Sequence, residues 1–153
     1  MQILRTVLIA AVAAVQLHGP ARRSDPLLVT SVVDGNTIQL QTVGRVRLLG
    51  IQAPRVGRGL DTPPLGRQAR DRLADLVLRR WVRLEQTGPD GSEPSRHGAY
   101  VWTEDGRLVN GVLVREGLAR VSGSKGMSRL AELQALEAEA RSHRRGLWAA
   151  ERQ

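Results

Sequence analysis

The sequence predicts an α+β fold in which strands predominate, namely a five-stranded barrel of the OB type accompanied by three helices. Five short segments have the alternating or β-branched pattern of strands, and one helical pattern lies between the third and the fourth. Two further helical patterns follow the fifth strand. The chain has 153 residues, of which 41% are hydrophobic and 25% charged, so it is long enough to bury the core of one domain.

The first three strands form a predicted meander. Residues 27–33 are a β-branched run that stops at the turn Asp34-Gly35-Asn36, and residues 37–41 then alternate strictly between apolar and polar side chains. Residues 45–51 form the third predicted strand, which ends before Pro54. Consecutive strands joined by such short turns are typical of antiparallel pairing.

The first helix and the last two strands follow a predicted loop at 55–64. Thr62 is a suitable N-cap with Pro63 at the first helical position, and the helix is predicted to end near Leu78. Residues 81–85 and 99–102 alternate as the fourth and fifth strands, with a loop at 87–95 between them. The apolar positions of the helix recur at helical spacing; they are Leu65, Ala69, Leu73, Leu76 and Val77.

Two helices complete the predicted domain. The first is short and closed by Gly117, and the second is closed by Gly146. Their apolar positions are Val109, Val112 and Leu113 in the first, and Leu130, Leu133, Leu136 and Ala140 in the second. Trp148 is predicted to plug the core.

The composition excludes several classes of site. The chain has no cysteine, which excludes disulfides, thiolate metal sites and thiol catalysis. It has three Trp, one Tyr and no Phe, so a surface rich in base-stacking aromatics is not supported. Its 23 Lys and Arg exceed 15 Asp and Glu, giving a formal net charge of +8 that favours polyanionic partners.

The beginning of the chain is typical of an exported protein. Arg5 precedes an apolar run at 7–15 that is too short to span a bilayer, so we interpret residues 1–25 as a signal peptide and polar leader. The domain then covers 26–150, and a secreted or periplasmic monomer without stable membrane insertion is expected. The alternative is an N-terminal helix or a short membrane tether.

Six segments of the chain resemble the staphylococcal nuclease, or thermonuclease, family in order and spacing. They are VDGNTI at 33–38, VRLLGIQAP at 46–54, LGRQA at 65–69, Arg96 with AYV at 99–101, VNGVLVREGLA at 109–119, and EAEAR at 137–141 with GLW at 146–148. The resemblance covers roughly residues 27–149. It implies an OB-fold barrel with three helices and, in active members, a calcium-dependent phosphodiesterase that acts on DNA and RNA outside the cell.

The resemblance also assigns site residues. The family's two transition-state arginines fall on Arg47 and Arg96, and the carboxylate that opens its Asp-Gly-Asp-Thr turn falls on Asp34. The second aspartate of that turn, a calcium ligand, is Asn36 here. The family's Asp-x-Pro-Glu segment, which supplies a further calcium ligand and the general base, reads Gln52-Ala53-Pro54-Arg55.

These replacements alter the expected chemistry. Formal charge at the three changed positions goes from −3 in the family pattern to +1 here. Calcium prefers carboxylate and other oxygen ligands, so Ca²⁺, the family's cofactor, is expected to bind weakly or not at all, with Asp34 as a weak remaining ligand. Arg55 cannot accept a proton, so the inherited mechanism lacks its base.

The family's nucleotide clamp is also changed. Glu93-Pro94-Ser95 replaces the lysine and tyrosine that normally precede the second arginine, and the tyrosines that follow Gly-Leu-Ala are replaced within residues 120–125. Stacking on an aromatic is worth about 1–3 kcal/mol per base, so tight nucleotide binding is not expected.

Each of these residues also has a structural interpretation. Asp34-Gly35-Asn36 serves a hairpin turn in any case, and Arg55 is as consistent with a solvated loop charge as with anion binding. His97, beside Arg96, is either a surface histidine or a replacement base. The basic residues at the end of the last helix suit its negative pole or contact a polyanion; they are Arg141, His143, Arg144 and Arg145.

Three functions remain open from the sequence. The first is a catalytically impaired domain that binds nucleic acid or another polyanion through Arg47, Arg55 and Arg96. The second is a slow, metal-relaxed nuclease that uses Asp34 and amide oxygens for the ion. The third is an envelope module for an unknown protein partner, with loops 55–64 and 88–95 as its contact region.

Overall fold

The computed structural model describes residues 22–55, 64–85 and 98–149. The strands are β1 (Leu27–Asp34), β2 (Thr37–Leu40), β3 (Gly44–Arg47), β4 (Ile51–Gln52), β5 (Trp81–Glu85), β6 (Tyr100–Thr103) and β7 (Arg120–Val121). The helices are α1 (Pro64–Val77), α2 (Val109–Arg115) and α3 (Leu130–Ser142), followed by a 3₁₀-helix at Gly146–Trp148. The parts of the prediction that lie outside the described residues are 1–21 of the leader, the helix start at Thr62 and Pro63, and the loop 87–95.

The strands of the described residues form a five-stranded sheet and a separate pair. The sheet has the order β3-β2-β1-β5-β6 with antiparallel neighbours, and β4 pairs with β7. A parallel bridge between Leu48 and Ala99 joins the region after β3 to the region before β6, so the two edges of the sheet approach each other. This is the predicted mainly-β, OB-like arrangement with three helices.

The third predicted strand is wrong in its extent, because residues 45–51 are divided between β3 and β4. Leu49 donates a backbone hydrogen bond to the Ala99 carbonyl, which takes the chain away from β2. Gly50 then adopts φ +73°, a left-handed conformation that favours glycine and turns the chain into β4. A Cβ at Gly50 would also lie 2.7 Å from a methyl of Leu133.

The helices cover the core formed by the inner faces of the strands. The predicted apolar face of α1 is buried except for the half-buried Leu65, and Leu133 and Ala140 bury one side of α3. Trp148 is buried at 4% exposure, as expected. Within the described ranges, no helix combines the length and apolar character needed to cross a membrane.

The residues just before β1 also contact the sheet. Ser24 donates its backbone N–H to the Leu84 carbonyl, and its hydroxyl accepts the Leu84 N–H. The Arg23 guanidinium lies 3.7 Å from the ring centroid of Trp102. Arg23 and Ser24 are therefore attached to β5 and β6.

Gly117 ends α2 as predicted, but Gly146 does not end α3. After α2, the Leu118 N–H bonds to the Leu113 carbonyl while Gly117 adopts φ +70°. After α3 the corresponding left-handed residue is Arg144, with φ +50°. Gly146 instead begins the 3₁₀-helix.

Gly146 is needed because the two chain segments that follow α2 and α3 lie in close contact. The Leu147 N–H bonds to the Gly117 carbonyl at 2.8 Å. A Cβ at Gly146 would collide with that carbonyl, and a Cβ at Gly117 would collide with the Arg145 carbonyl. Gly146 is thus required by tertiary contact and not by the end of a helix.

Gly117→Ala is expected to destabilise the domain by about 2–5 kcal/mol. The left-handed conformation costs a residue with a side chain about 1–2 kcal/mol, and forcing atoms into a packed contact costs about 1–3 kcal/mol more. Urea unfolding of the purified protein measures the change. The matched control is Gly106→Ala, since Gly106 also has φ +83° but its Cβ would meet nothing within 4 Å. Equal losses for the two variants would contradict the close-contact explanation.

Candidate functional site

A cavity of about 310 Å³ opens between the β1–β2 turn, the end of β3 and the residues after β4. Its lining residues are Asp34, Asn36, Thr37, Arg47, Gln52, Ala53, Pro54 and Arg55. We call this cavity the basic pocket. It brings together five of the site residues named from the sequence, whereas Arg96 and His97 lie outside the described residues.

The β1–β2 turn is held tightly against the rest of the domain. Asp34 Oδ1 accepts the backbone N–H of Asn36 at 2.9 Å, which stabilises the turn. A Cβ at Gly35 would lie 2.7 Å from the Ala53 Cβ and 2.8 Å from the Ala69 Cβ. Gly35 is needed for this close approach, and the turn residues line the pocket as well.

Asn36 uses its side-chain amide to connect two walls of the pocket. Its side chain is buried, with 7% exposure, and Nδ2 donates to the Ile51 carbonyl oxygen at 3.2 Å. A carboxylate at this position has no proton to donate at neutral pH. The amide therefore makes a structural bond that an aspartate would lack.

The two arginines of the basic pocket are placed by backbone contacts, and neither forms an ion pair with another described residue. Arg47 ends β3 opposite Thr37, and its carbonyl accepts the Ala99 N–H at 2.9 Å. Arg55 follows Pro54, and α1 packs on the Arg55 carbonyl at Gly66, where a Cβ would collide with that oxygen. Both residues are exposed, which leaves their charged ends accessible from the pocket.

Comparison with known proteins shows which family has this arrangement. Residues 45–150 match the family described as Staphylococcal nuclease homologue. The chain belongs to the staphylococcal nuclease family.

Two curated relatives support the assignment. A Shigella flexneri protein named Micrococcal nuclease is 33% identical over 135 residues, which cover 78% of this chain and 71% of that protein. An Escherichia coli protein named Protein ParB is 32% identical over 154 residues, which cover 91% of this chain and 81% of that protein. The family resemblance seen in the sequence motifs is thus confirmed.

The described lining of the pocket in this staphylococcal nuclease homologue does not fit calcium. Asp34 is the only carboxylate among the described lining residues, and its Oδ1 already accepts a hydrogen bond. Calcium takes six to eight oxygen ligands, usually including several carboxylates. The described residues hold no group of three or more acidic, histidine or cysteine side chains that could bind a metal ion.

A second cleft, of about 350 Å³, lies beside the segment that replaces the family's tyrosines. It is lined by Leu49, Tyr100, Ser124, Lys125, Gly126, Met127 and Ser128. Tyr100 is only 1% exposed, and burial raises the pKa of its hydroxyl. Its ring is therefore not presented for stacking, and the other described residues of the cleft are not aromatic.

Sequence reasoning missed two residues that shape the site. Asn110 is fully buried; Nδ2 donates to the Leu49 carbonyl at 2.8 Å, and Oδ1 accepts the Val101 N–H at 3.0 Å. It thereby fixes the turn between β3 and β4. Arg120 lies directly opposite Gln52 in the β4–β7 pair. The polar residue Asn110 among the apolar positions of α2 was a sequence signal for a buried hydrogen-bonding role. The sequence around Arg120 gave no such signal.

Proposed function

We propose that this family member binds nucleic acid or another polyanion through the basic pocket and is impaired in calcium-dependent phosphodiester hydrolysis. The observation that carries the proposal is the described lining of the pocket. It contains Arg47 and Arg55 together with two neutral amides, Asn36 and Gln52, and one carboxylate, Asp34. The apolar run at 7–15 supports the further proposal that the protein acts outside the cytoplasm.

The chemistry of the lining favours binding over hydrolysis. Hydrolysis of a phosphodiester by the family's route requires a group that takes a proton from water and a metal ion that polarises the phosphate. Arg55 stands at the base position and carries no proton acceptor. A guanidinium is instead suited to bidentate hydrogen bonding with phosphate oxygens.

The double change Arg47→Ala and Arg55→Ala is expected to weaken binding of a twelve-nucleotide oligothymidylate at least ~10-fold. Each lost phosphate contact should also reduce the slope of log affinity against log salt by about 0.7. Fluorescence anisotropy across a salt series measures both quantities. The control for each single change is Arg80→Ala, which removes one charge from an exposed arginine opposite Val29, and Val29 lies about 16 Å along β1 from Asp34. Binding that survives the double change would contradict the proposal.

A second candidate function is residual metal-dependent nuclease activity. It is favoured by the relative named Micrococcal nuclease and by the side-chain oxygens that Asp34, Asn36 and Gln52 bring to the pocket. Hydrolysis of fluorescent single-stranded DNA with calcium, with other divalent ions and with chelator separates the two functions. Metal-dependent cleavage that disappears in Arg47→Ala and in Arg96→Ala would establish the nuclease, and its absence at high protein concentration favours the binding function.

A further inference from the structure

Arg120 lies next to the basic pocket although it is distant in sequence from the pocket residues. It pairs with Gln52 across β4 and β7, and Gln52 lines the pocket. Residues directly opposite each other in an antiparallel pair project from the same face, with Cβ atoms about 5 Å apart. Both side chains are exposed. Arg120 therefore extends the arginine-lined surface beyond the pocket itself.

Arg120 and Arg141 both lie near the buried ring of Trp148. Its guanidinium carbon lies 5.7 Å from the ring centroid of Trp148, and that of Arg141 lies 3.8 Å from the same centroid. Trp148 is 4% exposed, so the ring serves as a support and is not itself available to a ligand. A guanidinium held over a ring face by a cation–π contact keeps its N–H donors free for a phosphate.

One ion pair, between Arg141 and Glu137, offsets part of the positive charge of this surface. Glu137 is the carboxylate closest to Arg141, with Oε2 3.4 Å from Nη2, but Oε1 already accepts the Val121 N–H at 2.8 Å. The Glu137 side chain is only 17% exposed. Arg120 forms no ion pair within the part of the chain that the structure describes. Across the pocket and this extension, four described arginines face two carboxylates, Asp34 and Glu137.

We propose that Arg120 and Arg141 form a second phosphate-contact site, so that the protein binds a nucleic-acid strand along its backbone and not as a single phosphate group. This inference rests on the proposed function, since the first phosphate is held by Arg47 and Arg55. The supporting ring is covered, so the extension reads phosphates and not bases. Thymine and adenine oligomers of equal length are therefore expected to bind with similar affinity.

The test compares a ligand that spans both sites with one that fills only the pocket. The ligands are a twelve-nucleotide oligothymidylate and the phosphorylated dinucleotide pTpT, bound to the full domain in a salt series. Arg120→Gln is expected to weaken the longer ligand at least ~5-fold and to reduce its salt slope by about 0.7, while pTpT binding stays unchanged. Arg80→Gln removes the same charge elsewhere on the surface and is expected to leave both ligands unaffected.

Arg120→Lys distinguishes a phosphate contact from a merely structural role. Lysine keeps the charge but loses the guanidinium contact with Trp148, so it should restore most of the binding and salt slope even if the melting temperature stays lowered. Failure of lysine to restore binding, together with a lowered melting temperature, would assign Arg120 to stability and overturn the inference.

Failure of the inference and failure of the proposed function give different results. If Arg120→Gln binds the long oligonucleotide like the wild type while Arg47→Ala weakens it, the second site is refuted and the pocket stands. If the wild type does not bind the oligonucleotide at all, the proposed nucleic-acid function fails as well. Arg120-dependent binding of a heparin fragment alone would overturn the nucleic-acid assignment in favour of a sulfated polysaccharide.

Discussion

The combined change Asn36→Asp, Gln52→Asp and Arg55→Glu is expected to raise the calcium affinity of the domain at least ~1000-fold. These substitutions return the family's acidic residues to three positions that line one pocket. The formal charge of the pocket falls by four units, one for each aspartate and two for the arginine-to-glutamate change. Even about 1 kcal/mol per unit, the value for a charge at 4 Å in water, amounts to a factor of ~1000.

Isothermal titration calorimetry measures the calcium affinity, and DNA hydrolysis provides a second readout. The matched control carries the same charge change at three exposed residues of the β2–β3 turn and the start of β3, as Gln41→Asp, Thr42→Asp and Arg45→Glu. We call the variant with the three acidic residues returned to the pocket the restored variant. Its DNA hydrolysis should require calcium and disappear when Arg47→Ala is added. Equal calcium affinity in the restored variant and the control would show that the three positions are not the remains of a metal site.

The variant with Asn36→Asp, Gln52→Asp and Arg55→Glu is expected to be less stable than the wild type when calcium is chelated. The Asn36 amide donates to the Ile51 carbonyl, and an aspartate would place an acceptor against that oxygen. Losing the donor and leaving a buried carbonyl unpaired costs about 1–3 kcal/mol. Calcium should reverse the loss, because a ligand that binds only the folded state stabilises it.

Arg129→Ala is expected to reduce the free energy of unfolding by about 3–5 kcal/mol. Glu85 is 1% exposed, and its carboxylate accepts hydrogen bonds from Trp102 Nε1 at 2.9 Å and from Arg129 Nη2 at 2.7 Å. The hydrogen bond to Glu85 raises the pKa of Arg129, which remains charged. Removing one partner of a buried ion pair leaves the other charge uncompensated, and this is the source of the large cost.

Urea unfolding measures this loss, and two further variants test its cause. Arg107→Ala breaks the ion pair with Asp105, in which both side chains are largely exposed, and should cost far less. Adding Glu85→Gln to Arg129→Ala should recover part of the lost stability, since a glutamine can still accept the Trp102 N–H without a buried charge. No recovery would contradict the role assigned to the Glu85 charge.

The elements that could be predicted are those specified by local patterns. The β-branched run of β1, the alternation in β2 and β5, and the apolar spacing of α1 are properties of neighbouring residues. The division of the third strand could not be predicted, because it depends on pairing between Leu48 and Ala99. The strand β7 escaped prediction for the same reason, since two residues give no periodicity.

For the site, the family motifs identified Asp34, Asn36, Arg47, Gln52 and Arg55, and the structure places them around one pocket. The motifs could show that a carboxylate had become an amide but not what the amide does. Its bond to Ile51 depends on how closely the β1–β2 turn approaches β4. That approach in turn requires Gly35 to pack against Ala53 and Ala69.

The sequence by itself determined the family, the order of most elements and the exchange of acidic for neutral and basic residues at the site, because these are encoded by residue identity and local spacing. Only the tertiary structure decided that Arg120 stands beside Gln52, that Arg129 compensates the buried Glu85, and that Gly117 and Gly146 pack against each other. These contacts join residues roughly 30 to 70 positions apart in the chain. Their energies depend on burial and distance, which a linear sequence does not specify.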